Sequence, residues 1–454
     1  MRSRTALEQQ PAVINGEFDK VVICVPDAFS RLVGKTVNVQ SFESAVRFGL
    51  PLPDFHLVTD ATGTPIPGMA VTNHEGGFPN GTIRPDLSTL RLLPGAERTA
   101  IVLADPEHSN GLAAVEAPRC VLQRQVDRLF EAGLVASVAT ELEFYMFSEN
   151  FRRAQLQRYH DLTPLYHRAG DHDILIASNY EPYLEPLRAR MEQMGAPVIS
   201  TLGEGGTGQV EVNFTHGEPG LTADNHVLFK YIAKALAMEM GVSISFMAKV
   251  AHLAPGSSSH IHLSLTELLT ERPLFAHADR PEEMAPEARS FIAGMLAYAP
   301  DFSILHAPSV NSYHRIRPRS WVPVNATWGV DNRTVLARLL GSGNDGRVEF
   351  RLPGADANPY LSLAAVIAAG LAGIKNQLEL PPPVGSQADT PQTAPVALPG
   401  DMAAAIDAFA GSTLASDALG SSVHRHYLDR ARHEFYITSS FVSDWERERG
   451  FEIA

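Results

Sequence analysis

The chain has 454 residues but only two cysteines, Cys24 and Cys120, with no C-x-x-C spacing. That scarcity argues against a disulfide framework or a thiolate zinc site and fits a reducing cytosol. Basic residues are also in deficit: 37 Lys and Arg stand against 51 Asp and Glu, a net charge of −14. Nucleic acid and anionic membrane surfaces ask for the opposite balance, so neither is an expected partner. Long apolar runs are missing too. The most apolar stretch, Leu361 to Ile374, is too short to cross a bilayer and reads as a buried helix. Residues 1–20 show mixed charge without the apolar centre of a secretory signal, and read as a flexible terminus.

What remains is the composition of a soluble globular protein, 44% hydrophobic and 19% charged. Short β-like runs (VVICV, KTVNV, TAIVLA) alternate with turn-rich segments from Val21 to about Leu103, which predicts a small β-rich domain over 21–110. Pro118 then opens a helix whose apolar residues are Val121, Leu122, Val126, Leu129 and Phe130. The larger domain, 111–454, reads as α+β. Its expected strands lie at 137–147, 209–214, 259–265 and 347–352, and its main helices at 223–240 and 359–377. Residues 380–400 are proline-rich and read as a surface loop. Two or three helices are expected over 401–447.

The four strands carry charge where strands of a core usually do not. Side chains alternate with period two, so Glu141 and Glu143 share a face, as do Glu211 and Asn213, His260 and His262, and Glu349 and Arg351. Taken singly, each pair is most often a solvated edge, a structural histidine pair or a surface ion pair. Four such strands in one domain, with mainly apolar neighbours, instead predict a shared cavity whose carboxylates need cations. Glu141, Glu143, Glu204, Glu211, Glu349 and His260 form a set too oxygen-rich for structural zinc. It suits Mg²⁺ or Mn²⁺, and six protein ligands are enough for two ions. Arg315, Arg333, Arg338 and Arg351 supply a matching cluster of guanidinium groups. Together these point to phosphoryl transfer. The run 203–209 (GEGGTGQ) is glycine-rich but is not a Walker A loop.

Six collinear segments resemble the glutamine synthetase superfamily: ELEFYMF (141–147), GEGGTGQVEV (203–212), GSSSHIHLSL (256–265), NSYHR (311–315), NRTVLAR (332–338) and VEFRLPGADANPYLSLAA (348–365). The resemblance implies an N-terminal β-grasp domain and a catalytic domain built on an antiparallel, barrel-like sheet with helices. It also implies hexameric rings, stacked as a dodecamer, in which a neighbour completes each active site. By motif, Glu143, Glu204 and Glu211 match ligands of one metal, and Glu141, His260 and Glu349 match ligands of the metal that bridges the ATP phosphates. Arg315 matches the arginine on glutamate's α-carboxylate, Gly256 a glycine beside glutamate, and Arg351 the arginine near its γ-carboxylate. Arg333 and Arg338 match the phosphate-handling pair. His262 and Ser264 match positions lining the nucleotide pocket. The implied chemistry is ATP-dependent amide formation on L-glutamate through a γ-glutamyl phosphate, and Glu204 is the candidate for taking the amine's proton.

One departure from the ammonia-using enzymes bears on the acceptor. In NSYHRIRPRSWVP, the place six residues beyond Arg315, where those enzymes carry a glutamate, holds Trp321. An indole offers an apolar face or a cation–π surface to a carbon-bearing amine. RPDLSTLRLLP (84–94), YHDLTP (159–164) and RLPGADANPY (351–360) also resemble the γ-glutamylpolyamine and γ-glutamylethanolamide branch. The expected acceptor is therefore a primary amine (polyamine, ethanolamine, or an alkyl- or arylamine), in its catabolism or detoxification. The alternatives are an ammonia-using glutamine synthetase and a non-catalytic regulatory relative.

Overall fold

The computed structural model describes residues 18–390 and 396–453. Most of the expected flexible terminus (1–17) and part of the proline-rich loop (391–395) lie outside the described residues. Lys20 already belongs to the first strand.

The N-terminal sheet contains β1 (Lys20–Pro26), β2 (Leu32–Asn38), β3 (Leu50–Pro53), β4 (Asn80–Pro85), β5 (Arg91–Leu92) and β6 (Thr99–Glu107). Its order is β2-β1-β6-β4-β3, with β5 on β6 and with β1 and β6 parallel. The helix Val39–Phe48 packs Phe42 and Ala45 onto Val21, Ile23, Val25 and Val102. Asn38 caps it, its side chain accepting from the N–H of Ser41 at 2.8 Å. This sheet-and-helix arrangement is the β-grasp layout expected.

The helix Pro118–Glu131 follows, with Pro118 in its first turn and Val121, Leu122 and Leu129 buried. Phe130, another of its apolar residues, is exposed. The buried stripe runs through Leu122, Gln125 and Leu129, and Phe130 stands one step off it.

The second sheet holds β7 (Leu134–Phe147), β8 (Val198–Gly203), β9 (Gln209–Phe214), β10 (Ser243–Ser245), β11 (Ser259–Glu267), β12 (Trp328–Val330), β13 (Ala337–Leu340) and β14 (Arg347–Phe350). Its order is β12-β13-β14-β11-β7-β9-β8, with β10 on β7. Every pairing is antiparallel except β12 with β13, and the sheet curls into a nearly closed barrel. The expected fourth strand stops at Phe350. Arg351 lies just beyond it, its N–H bonded to the Leu336 carbonyl at 3.0 Å.

One face of this sheet is covered by the helices Glu181–Gln193 and Pro219–Met240. The helices Pro286–Ala297 and Pro359–Lys375 build the larger core with Pro118–Glu131. The stretch from Leu361 is buried through Gly373, as its composition predicts. Gly294 allows the Pro286–Ala297 helix to cross it closely, because a Cβ there would lie 2.2 Å from the Ala369 carbonyl oxygen.

Two expectations need correction. The C-terminal region holds four helices, not two or three: Met402–Gly411, Thr413–Leu419, Ser421–Ser440 and Asp444–Gly450. Ser412 both ends the first and caps the second, and Gly420, at φ 83°, separates the second from the third. The proline-rich segment is also more than a surface loop, since Ala388, Asp389 and Leu398 are buried. Among the described residues, no helix is long and apolar enough to cross a membrane.

Candidate active site

The alternation read in four strands becomes one site because of register. Glu141 pairs with Asn213 and Glu143 with Glu211 between β7 and β9. Across β11, His260 pairs with Glu141 and His262 with Glu349. Glu349 in turn pairs with Arg338 of β13. Directly opposed residues point to the same face, so the charged side chains meet inside the curled sheet.

Two triads result. Glu141, His260 and Glu349 each offer a ligand atom within 4.8 Å of the others, and so do Glu143, Glu211 and His260. His260 Nδ1 stands 3.2 Å from Glu141 and 3.4 Å from Glu349. Glu204, expected with Glu143 and Glu211, stays half-buried at the rim, its carboxylate accepting from the Gly205 N–H at 3.2 Å. His260 takes its place in the tighter triad.

The electrostatics divide the carboxylates. Burial and the charges of Glu141, Glu143 and Glu204 push Glu211 up to about 9. Burial and Glu204 push Glu143 up to about 7. Burial also raises Glu349, but the neighbouring charge of Arg351 leads the opposing effects and holds that carboxyl below its usual range. Burial drops His260 to about 4, leaving it neutral, the form that ligates metal. A crowd of oxygen donors with one neutral nitrogen, short of positive charge on the Glu143–Glu211 side, fits hard divalent cations.

The arginines frame this cage. Glu349 accepts from Arg338 Nη1 at 3.0 Å and from Arg351 Nη1. Asp331 orients Arg338 from the other side, Nε to Oδ1 at 3.1 Å. Arg315 closes the short helix Val310–Arg315 and is buried, donating to the Leu352 carbonyl at 2.7 Å and to Ser258 Oγ at 2.8 Å. Its Nε has no protein partner. Gly256 lies against it: a Cβ at that position would meet Arg315 Cγ at 2.5 Å. Arg333 is not in this buried group and is exposed on a neighbouring cavity wall.

Two cavities flank the cage. One, of about 550 Å³, is lined by Glu141, His262, Ser264 and Arg347 among others. Arg347 Nε donates to His262 Nδ1 at 3.2 Å, so His262 Nε2 carries the proton that it directs to Glu141 at 2.8 Å. The other, of about 700 Å³, is lined by Arg319, Trp321, Asp331, Arg333, Arg338 and Asp389 among others. Trp321 is 65% exposed there, and its carbonyl lies 3.5 Å from Arg351 Nη2.

A protein-family model of the glutamine synthetase catalytic domain matches residues 115–450. The chain belongs to the glutamine synthetase family. Within that family it is 38% identical to γ-glutamylethanolamide synthetase GlnA4 of Streptomyces coelicolor, over 98% of this chain and 95% of that protein. It is 33% identical to a glutamate–isopropylamine ligase of a Pseudomonas species, over 92% of each chain. Among solved structures, the GmaS/ADP complex superposes with a TM-score of 0.83 at 23% identity, covering 96% of this chain and 97% of that one.

Several side chains of this glutamine synthetase family site were not singled out in the sequence. Gln209, the inward residue that opens β9, donates to Glu143 at 2.9 Å and to the Gly256 carbonyl at 3.0 Å. The period that marks Glu211 and Asn213 marks Gln209 too. Arg347 shares the period of Glu349 and Arg351. Asp389 carried no such signal, since it lies in the proline-rich segment.

Proposed function

We propose that this chain is an ATP-dependent ligase that joins the γ-carboxylate of L-glutamate to a primary amine through γ-glutamyl phosphate. The observation that carries this reading is the register of β7, β9, β11, β13 and β14, which sets carboxylates, one imidazole and guanidinium groups around one centre. Bound Mg²⁺ or Mn²⁺ supplies charge neutralisation and orientation for the phosphates. Glu141, His260 and Glu349 would hold the ion on the ATP side, and Glu143 and Glu211, with Glu204 at the rim, would hold the other.

The arginines do the rest of the electrostatic work. Arg315, with Gly256 leaving room beside it, receives glutamate's α-carboxylate, and Arg351 faces the γ-carboxylate. A γ-carboxylate oxygen attacks the γ-phosphorus of ATP, and the bond to the bridging oxygen breaks to release ADP. Arg338 and Arg333 take up the charge that develops on the transferring group. ATP enters by the cavity that His262 and Ser264 line. The amine nitrogen then attacks the acyl carbon, phosphate leaves, and Glu204 accepts the amine's proton.

The names of the two relatives supply the acceptor class, short primary amines that carry carbon. Trp321, exposed on a cavity beside Arg351, gives such an amine an apolar wall. We place the enzyme in cytosolic amine catabolism or detoxification, in hexameric rings stacked as a dodecamer whose neighbouring subunits complete each site. The test is phosphate release with glutamate and ATP, comparing ammonium with ethanolamine, isopropylamine and a polyamine. Highest kcat/KM for one of the carbon-bearing amines supports the reading; highest kcat/KM for ammonium overturns it.

A further inference from the structure

Arg319 and Trp321 both have left-handed backbones, at φ 61° and φ 63°. For side chains of this size that conformation is strained and persists only where surroundings impose it. Within the turn, Ser320 Oγ donates to the carbonyls of Arg315 at 3.3 Å and Arg317 at 2.5 Å, and Asp389 holds both flanking residues from outside it. Asp389 accepts the Arg319 N–H on its carbonyl at 3.0 Å and the Trp321 N–H on Oδ2 at 3.2 Å. Its other carboxylate oxygen accepts from Gln387 Nε2 at 2.9 Å, and it is 2% exposed.

The same segment is tied to the loop that bears Arg333. Asn332 Nδ2 donates to the carbonyls of Val384 and Ser386 at 2.9 and 2.8 Å. Thr334 Oγ1 accepts the Ala388 N–H at 2.9 Å, and Asn325 Nδ2 donates to the Ala388 carbonyl at 3.1 Å. Residues 384–389 thus form a strap over two loops that share one cavity, the first presenting Trp321 and the second Arg333.

We infer that Asp389 is the positioning residue for the acceptor site: by holding the strained 319–321 turn, it fixes Trp321 as the wall against which the amine's carbon groups bind. The inference rests on the reading of Trp321 given above. A buried carboxylate is expensive unless its lone pairs are used, and here they are used on a turn and on the strap that carries it. The surface loop expected from composition therefore contributes to specificity without touching substrate.

The experiment uses the full enzyme with its preferred amine. Asp389→Ala is expected to raise the amine KM roughly tenfold while the KM values for glutamate and ATP stay within about twofold. Asp389→Asn is expected to keep a near-normal amine KM, because its Oδ1 still accepts the Trp321 N–H and Gln387 can turn its amide to match. In a Trp321→Ala background, Asp389→Ala is expected to add little. If Asp389→Ala proves insoluble, Asp389→Ser takes its place. Equal rises in all three KM values, an unchanged amine KM, or full additivity with Trp321→Ala would overturn the assignment. If Trp321→Ala itself leaves the amine profile untouched, the Trp321 reading fails instead, which separates the two claims.

Discussion

Glu143 on β7 and Glu211 on β9 are directly opposed partners in an antiparallel ladder, two carboxylates side by side in a buried wall. Like charges placed so are destabilising unless something positive or a proton intervenes. Burial and the neighbouring carboxylates answer with the proton: burial and Glu204 push Glu143 up to about 7, and burial with Glu141, Glu143 and Glu204 pushes Glu211 up to about 9.

That relationship gives a pH-dependent prediction for the metal-free protein. A carboxyl whose folded value lies above its unfolded one favours folding most at low pH, and this contribution is lost as pH rises through the folded value. From pH 7 to 9, above the range in which a buried neutral imidazole such as His260 adds stability as pH rises, the chelated enzyme should therefore melt at lower temperature, and added Mg²⁺ or Mn²⁺ should restore most at the alkaline end. Scanning fluorimetry with and without chelator checks this, and Glu211→Gln should flatten the slope. A metal effect that is the same at pH 7 and pH 9 would contradict it.

Much of this is legible in the sequence because β alternation is a strong signal. Glu141, Glu143, Glu211, His260 and Glu349 were found by period two, and antiparallel register did the rest. Three things were not legible, each for a physical reason. Glu204 sits on a turn, whose geometry no periodicity encodes, so its distance from Glu143 and Glu211 was open. The helix breaks at Ser412 and Gly420 fall between short apolar turns, where caps matter more than pattern. Asp389 works through backbone donors far away in sequence, and proline content masked its burial.

Glu349 should be costly to remove in two ways. It is 1% exposed and accepts from both Arg338 and Arg351, so Glu349→Ala takes the buried anion from both and leaves Arg338 with Asp331 alone. Breaking such a buried pair costs on the order of 3–5 kcal/mol, and turnover should vanish as well. Glu349→Gln keeps the volume and one acceptor oxygen, so it should lose activity with a smaller loss of stability. Urea unfolding beside phosphate-release assays separates the effects. Near-normal turnover in either variant would remove Glu349 from the metal site.

Trp321→Glu tests the acceptor wall. An anion on this cavity offers ammonium a partner and takes the apolar face away from carbon-bearing amines. The ratio of kcat/KM for ammonium to that for ethanolamine should rise by roughly tenfold or more. The same ratio in wild type and variant would show that this turn does not choose the acceptor.

Gly256 makes the sharpest prediction because the space beside it is so narrow. A Cβ there would meet Arg315 at Cγ (2.5 Å), Cδ (3.0 Å) and Cβ (3.1 Å), the root of the side chain and not its mobile end. Arg315 has no slack, being buried and fixed by Leu352 and Ser258. Gly256→Ala must therefore shift the guanidinium, and a ~1 Å misplacement of the group proposed to receive glutamate costs on the order of 10–100-fold in its use. The expected result is a KM for glutamate raised by that order, with the KM for ATP nearly unchanged because His262 and Ser264 line a separate cavity. A parallel rise in both constants would mean that Gly256 matters to the fold and that Arg315 is not glutamate's clamp.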